Sequence, residues 1–176
     1  MTDPNIPRIK NFNLEYLKKH KLKNGSENLP PPAIVEFDLH GSCSRRCAFC
    51  PRVDEKKWPN LEEKFEIDLY TKIITELKEK WNYSGRVAWS GYSEPMMHDQ
   101  IYELIRITKK LLPECTLDIV SNGDYLDLEV IKKLYSSGLD HLRVSIYTNN
   151  KTTLKFKKIR EQLKVDHEIF FIRERN

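Results

Sequence analysis

"AIVEFDLHGSCSRRCAFC", residues 33–50, runs from a strand pattern straight into three closely spaced cysteines. "AIVEFDL" (33–39) alternates apolar and acidic side chains, as a strand with unequal faces does. The loop behind it carries Cys43, Cys47 and Cys50, and the chain has one other cysteine, Cys115. Disulfide frameworks use cysteines in pairs, and structural zinc sites take four ligands. Three is the count of a metal centre that keeps one coordination position open.

Beyond this stretch the strand and helix patterns alternate every ~25–30 residues. Ile67, Tyr70, Ile73, Ile74, Leu77 and Trp81 stand at helical spacing within 67–81. "RVAWS" (86–90) is a short strand, and Asp99 is the expected cap of a helix bearing Ile101, Leu104, Ile105 and Leu112. "TLDIV" (116–120) is a third strand. Asp127 is the expected cap of the helix with Val130, Ile131, Leu134 and Tyr135, and Gly138 suits the position past its end. "LRVSIY" (142–147), a helix over 152–163 and "EIFFI" (168–172) complete the series. The pattern predicts an α/β fold: a partial (β/α) barrel of parallel strands with about five βα units.

In such sheets ligands bind at the carboxyl ends of the strands. The cysteine loop follows the first strand, "GYSEP" (91–95) the second and "SNGDYL" (121–126) the third, while Ser145 lies late in the fourth. All four therefore meet at one edge.

The chain has 176 residues, 39% hydrophobic and 32% charged, with a net charge of +4, the composition of an ordinary soluble protein. Residues 1–32 read as a polar, basic extension ending in three prolines, and 33–176 as the core domain. No apolar run approaches the ~20 residues of a membrane-spanning helix, and "MTDPNIPRIK" has no signal-peptide character. A cytoplasmic location is expected, where thiols stay reduced and clustered cysteines read as metal ligands. The positive charge is scattered, so neither a membrane nor a nucleic acid is an expected partner.

The C-x-x-x-C-x-x-C spacing lets three thiolates meet one face of an iron–sulfur cube. Zinc is the rival reading, with His40, His98 or Cys115 completing a tetrahedral site. Cys115 begins a predicted strand, where a cysteine is more often a small buried hydrophobe. Trp58 and Trp89 read as packing residues, and Arg45 and Arg46 either as exposed loop arginines or as charges offsetting a cluster.

With Phe49 before its last cysteine, the loop resembles the cluster loop of the radical S-adenosylmethionine (radical SAM) superfamily. The resemblance implies a 4Fe-4S cluster on Cys43, Cys47 and Cys50, its open iron chelated by S-adenosyl-L-methionine, with Phe49 near the adenine. Ser44 stands where the family often has asparagine. "GYSEP" resembles the Gly-Gly-Glu-Pro segment that holds the methionine amino group, which makes Gly91, Tyr92, Ser93 and Glu94 cofactor contacts; Ser93 replaces the second glycine. "SNG" (121–123) resembles the family's Thr-Asn-Gly and brings in Asn122. Ser145 matches a serine that binds the ribose hydroxyls, and Tyr147 stands where some subgroups carry aspartate. Asn-Gly is also a common turn, and a strand serine often bonds to backbone. "FFIRERN" (170–176) is similar to the fifth-strand region of SPASM-type members, without their cysteine-rich tail.

The implied reaction is one-electron cleavage of S-adenosylmethionine to a 5′-deoxyadenosyl radical that abstracts hydrogen from a small-molecule or peptide substrate. An electron donor such as flavodoxin or ferredoxin is implied with it. Because the family's core usually has six units, the domain is expected to be C-terminally incomplete. Two other readings stay open: a truncated or degenerate remnant that binds the cluster without turnover, and a zinc-stabilised binding module.

Overall fold

The computed structural model describes residues 31–147 and 150–175. The expected N-terminal extension lies outside them except for Pro31 and Pro32. Among the described residues five strands, β1 (Ile34–Phe37), β2 (Arg86–Trp89), β3 (Thr116–Ser121), β4 (His141–Ile146) and β5 (Phe170–Glu174), alternate with four α-helices. The helices are α1 (Ile67–Trp81), α2 (Ile101–Leu111), α3 (Leu128–Ser136) and α4 (Asn150–Leu163). Every strand pair is parallel and spatial order equals chain order, β1-β2-β3-β4-β5. Each crossover thus starts a strand beside the one just left, the progression of an α/β barrel wall.

Side-chain alternation sorts the two faces of the sheet. Phe37, Val87, Trp89, Ile119, Val144 and Phe170 join the apolar stripes of the helices in one core. Each such side chain contributes about 1.5–3 kcal/mol when buried, so this face holds the layers together. The alternate residues, among them Glu36, Arg86, Ser90, Arg143 and Ser145, line a cavity on the other face. Deep in that wall the fully buried Asp118 pairs with both Arg86 and Arg143, the latter at 2.8 Å.

Local signals set most element ends. Asp127 caps α3 by accepting from the Val130 N–H at 2.8 Å, and Gly138 takes φ +111° beyond its end. Asp99 is not a cap, contrary to the expectation: Gln100 holds that position without a side-chain bond. Lys64 Nζ captures the Asp99 carboxylate at 2.9 Å, and His98 Nδ1 accepts from the Gln100 N–H instead. β1 is shorter than 33–39, because Asp38 leaves the ladder to brace the turn after β2. β5 starts at Phe170 and not at 168, because the Ile169 and Phe170 N–H groups close a turn on the Asp166 carbonyl. Helix α4 begins at Asn150, two residues before the expected 152.

Candidate functional site

A cavity of about 770 Å³ opens at the carboxyl edge of the sheet. Cys43, Cys47, Phe49 and Cys50 form one side of it; Gly91, Tyr92, Ser93, Glu94, Asn122 and Ser145 also line it. The candidate cluster and cofactor residues of the sequence are therefore brought together, from four separate loops and strand ends, while His40, His98 and Cys115 do not line the cavity.

The three thiols are free and partly exposed, whereas Cys115 is buried at 2% exposure. Burial pushes the Cys115 thiol up to about 11, so it stays neutral and inert. His98 is also buried and occupied at both nitrogens, Nε2 on the Phe65 carbonyl and Nδ1 on the Gln100 N–H. His40 Nδ1 accepts from the Ser42 N–H at 3.1 Å. Among the described residues no three His, Cys, Asp or Glu side chains converge closely enough for a single metal ion. A cubane makes a different demand: each thiolate binds its own iron, so the sulfurs stand apart around one face. The donor set and its open side fit such a cluster. Burial, then the neighbouring Cys43, raises the Cys47 thiol above the ordinary range, partly offset by Arg45.

The cysteine loop is short of regular structure and is held by side chains instead. Arg52 is 3% exposed and donates to the carbonyls of Gly41 at 2.8 Å and Pro59 at 3.2 Å, to Asn60 Oδ1 at 3.0 Å and to the Tyr92 carbonyl. One guanidinium thus ties this loop to the turn after β2. Asn60 in turn bridges the Cys43 N–H and carbonyl at 3.3 and 3.2 Å. Arg45 clasps Asp124, which also accepts from the Ser44 hydroxyl at 2.8 Å. The Arg45 hydrogen bonds hold the Asp124 carboxyl below its ordinary range. Arg46 pairs with Glu55 at 2.7 Å, at the surface.

The turn after β2 is built on Asp38, whose Oδ1 accepts from the Ser93 N–H at 3.1 Å and hydroxyl at 2.8 Å. Gly91 sits against the same carboxylate with φ +101°, and a Cβ there would meet Asp38 Oδ1 at 2.5 Å. Only glycine suits both conditions. Glu94 is 1% exposed and accepts from the Met96 N–H at 3.2 Å, the Ser121 hydroxyl at 2.7 Å and the Asn122 N–H at 2.8 Å. Its carboxylate therefore staples the end of β2 to the end of β3. Burial raises its pKa, partly offset by these donors. Among the cavity residues Phe49 packs on Tyr147 at 5.3 Å between ring centroids, and Trp58 packs on the lining residue Tyr92 at 5.2 Å. Trp89 is fully buried, as a packing residue should be, while Trp58 is 41% exposed.

Asp38, Arg52, Asn60 and Asp124 were not among the sequence candidates. An acid at the end of β1 and an arginine one residue after "CP" carry no local signal, since their partners come from other loops.

A family model described as the radical SAM superfamily matches residues 39–168. The S-adenosyl-L-methionine-dependent 2-deoxy-scyllo-inosamine dehydrogenase of Niallia circulans is 25% identical over 74% of this chain and 50% of its own length. The GTP 3′,8-cyclase of Chlorobaculum tepidum is 28% identical over 65% of this chain and 32% of its own. The chain thus spans at most half the length of these curated relatives. The crystal structure of BtrN in complex with AdoMet and 2-DOIA superposes with a TM-score of 0.70 at 19% identity, over 81% of this chain and 56% of that one. BtrN in an open conformation gives 0.65 at 18% identity, over 86% and 59%. These two likenesses establish the fold: the partial (β/α) barrel with five parallel strands stands as expected.

Proposed function

This chain belongs to the radical SAM superfamily, whose cofactors are a 4Fe-4S cluster and S-adenosylmethionine, and we propose that residues 33–176 are a radical SAM enzyme domain that binds both. When bound, the cluster supplies the electron that splits S-adenosylmethionine into methionine and a 5′-deoxyadenosyl radical, which takes hydrogen from a substrate. Cys43, Cys47 and Cys50 hold the cluster. Phe49, the Gly91–Ser93 turn, Asn122 and Ser145 contact the cofactor, and Glu94 fixes the turn that receives the methionine ammonium. Strand-end carbonyls accept from such an ammonium, and the buried Glu94 adds negative potential behind them.

The observation that carries this reading is the convergence of three partly exposed thiols and the ends of β2, β3 and β4 on one 770 Å³ cavity. The volume falls in the range of small-molecule sites, ~300–1,000 Å³. The two curated relatives are named for 2-deoxy-scyllo-inosamine and for GTP. Their names give two unrelated substrates, so the substrate proposed here is a small molecule or peptide of its own class. A flavodoxin or ferredoxin is the proposed electron source. No described helix is long and apolar enough to cross a membrane. A cytoplasmic setting is proposed with it, because the thiols must stay reduced.

The test is anaerobic reconstitution with iron and sulfide. The protein should take up about four of each per chain and turn brown. Replacing any of Cys43, Cys47 or Cys50 with alanine should remove them. Anaerobically purified protein that is colourless and carries zinc would overturn the reading in favour of the binding module.

A further inference from the structure

We propose that Asn122 is a positioning residue for the cluster's electronics, donating an N–H···S hydrogen bond to Cys43 that raises the cluster's reduction potential. The inference rests on the cluster assignment above and adds a role for one side chain. Asn122 Nδ2 lies 3.6 Å from Cys43 Sγ, within range for a sulfur acceptor, and 3.0 Å from the Ser44 hydroxyl. Among the described residues it makes the one hydrogen bond that reaches a sulfur of the triplet.

Two hydrogen bonds of Asn122 and the bracing of Asp124 fix the amide in this orientation. The Asn122 N–H is held by Glu94 Oε2 at 2.8 Å, which sets the backbone. Its Oδ1 accepts from the Asp124 N–H at 2.9 Å, so the oxygen is committed and Nδ2 must face the cysteine loop. Asp124 is itself clasped by Arg45 and Ser44, which lie between Cys43 and Cys47 in sequence. The donor and the sulfur are thus parts of one braced unit. Asn122 is 8% exposed, so water competes little for the bond.

Charge decides the direction of the effect. Reduction adds an electron to the cluster and makes its thiolate sulfurs richer in electron density. A fixed N–H donor therefore binds the reduced form more strongly than the oxidised one, and hydrogen bonds to cluster sulfurs are among the features that set potentials. Removing the donor makes the cluster harder to reduce.

The experiment compares anaerobically reconstituted wild type, Asn122→Leu and Asn122→Asp by redox titration followed by electron paramagnetic resonance, without S-adenosylmethionine. Leucine keeps the approximate volume and removes the donor; aspartate keeps the acceptor for Asp124 and puts a negative charge where the donor stood. The expected midpoints fall in the order wild type, Asn122→Leu, Asn122→Asp, at equal iron and sulfide content. A merely structural role would lower cluster loading and leave the midpoint of the loaded fraction unmoved. Loaded protein with coincident midpoints, or with a rise in Asn122→Leu, overturns the proposal and leaves the cluster assignment intact. Wild type that binds no iron and sulfide refutes the cluster assignment itself. Resonance Raman spectra of wild type in H₂O and D₂O decide the matter if the variants do not load. An isotope shift of the iron–thiolate stretches supports the bond, and its absence removes it.

Discussion

Replacing Glu94 with alanine should cost the domain much of its stability through three orphaned donors. In the structure one buried carboxylate serves the Met96 N–H, the Ser121 hydroxyl and the Asn122 N–H. A buried donor left without a partner costs about 1–3 kcal/mol, so three give an upper range of about 3–9. The Ser121 hydroxyl can rotate to another acceptor, and the vacated space admits some relaxation, so about 3–5 kcal/mol is expected near neutral pH. For a chain of this size each kcal/mol moves Tm by about 2–4 °C, which makes the drop roughly 6–20 °C. Urea denaturation followed by circular dichroism measures it on the cluster-free protein. The raised pKa of Glu94 adds a pH signature with a definite sign. The folded state holds this proton more tightly than the unfolded chain, so the stability that Glu94 contributes is fullest below the ordinary carboxyl range. It declines as pH rises through the elevated value, and the gap between wild type and Glu94→Ala narrows with it. A loss under about 1 kcal/mol would refute the staple. A gap that widens with pH would refute the dominance of burial over the donors.

Cys115 should behave as a buried hydrophobe: at pH 8 its thiol, pushed up to about 11, should resist iodoacetamide in folded protein and react once urea unfolds the chain. Equal rates in both states would contradict its burial. Cys115→Ala should load as much iron as wild type, and a loss of iron would make it a ligand. Gly91→Ala should destabilise by about 1–3 kcal/mol from backbone strain alone, with more from the collision with Asp38. A neutral result by thermal melting would mean that the Asp38-braced turn can rearrange.

The barrel wall was legible because its signals are local. The period-2 and period-3.6 patterns, Asp127 at a cap and Gly138 past a helix end all act within a few residues. The edge was legible too, since parallel βα units oblige every loop after a strand to share one side. What escaped depends on loops meeting each other. Asp99 looked like a cap until Lys64, 35 residues earlier, claimed its carboxylate. Asp38 read as part of a strand, yet its partners are Gly91 and Ser93, more than 50 residues on. Glu94 looked like a ligand group alone, and its own hydrogen bonds show that it first holds β2 to β3. Arg52 gave no sign of being buried, because the carbonyls that satisfy it are gathered only when the loops have closed.

The cysteine loop and the ends of β2 to β4 are proposed together to make a site for reductive cleavage of S-adenosylmethionine. Cleavage needs the cluster, an electron and a correctly held cofactor, and the residues proposed for these tasks all lie between Cys43 and Ser145. The most direct measurement incubates the reconstituted protein anaerobically with dithionite and S-adenosylmethionine and follows 5′-deoxyadenosine by chromatography. Slow formation without any added substrate is predicted, and it should vanish in the Cys47→Ala variant. A fully loaded cluster that yields no 5′-deoxyadenosine would contradict the account and leave a cluster-binding domain without turnover.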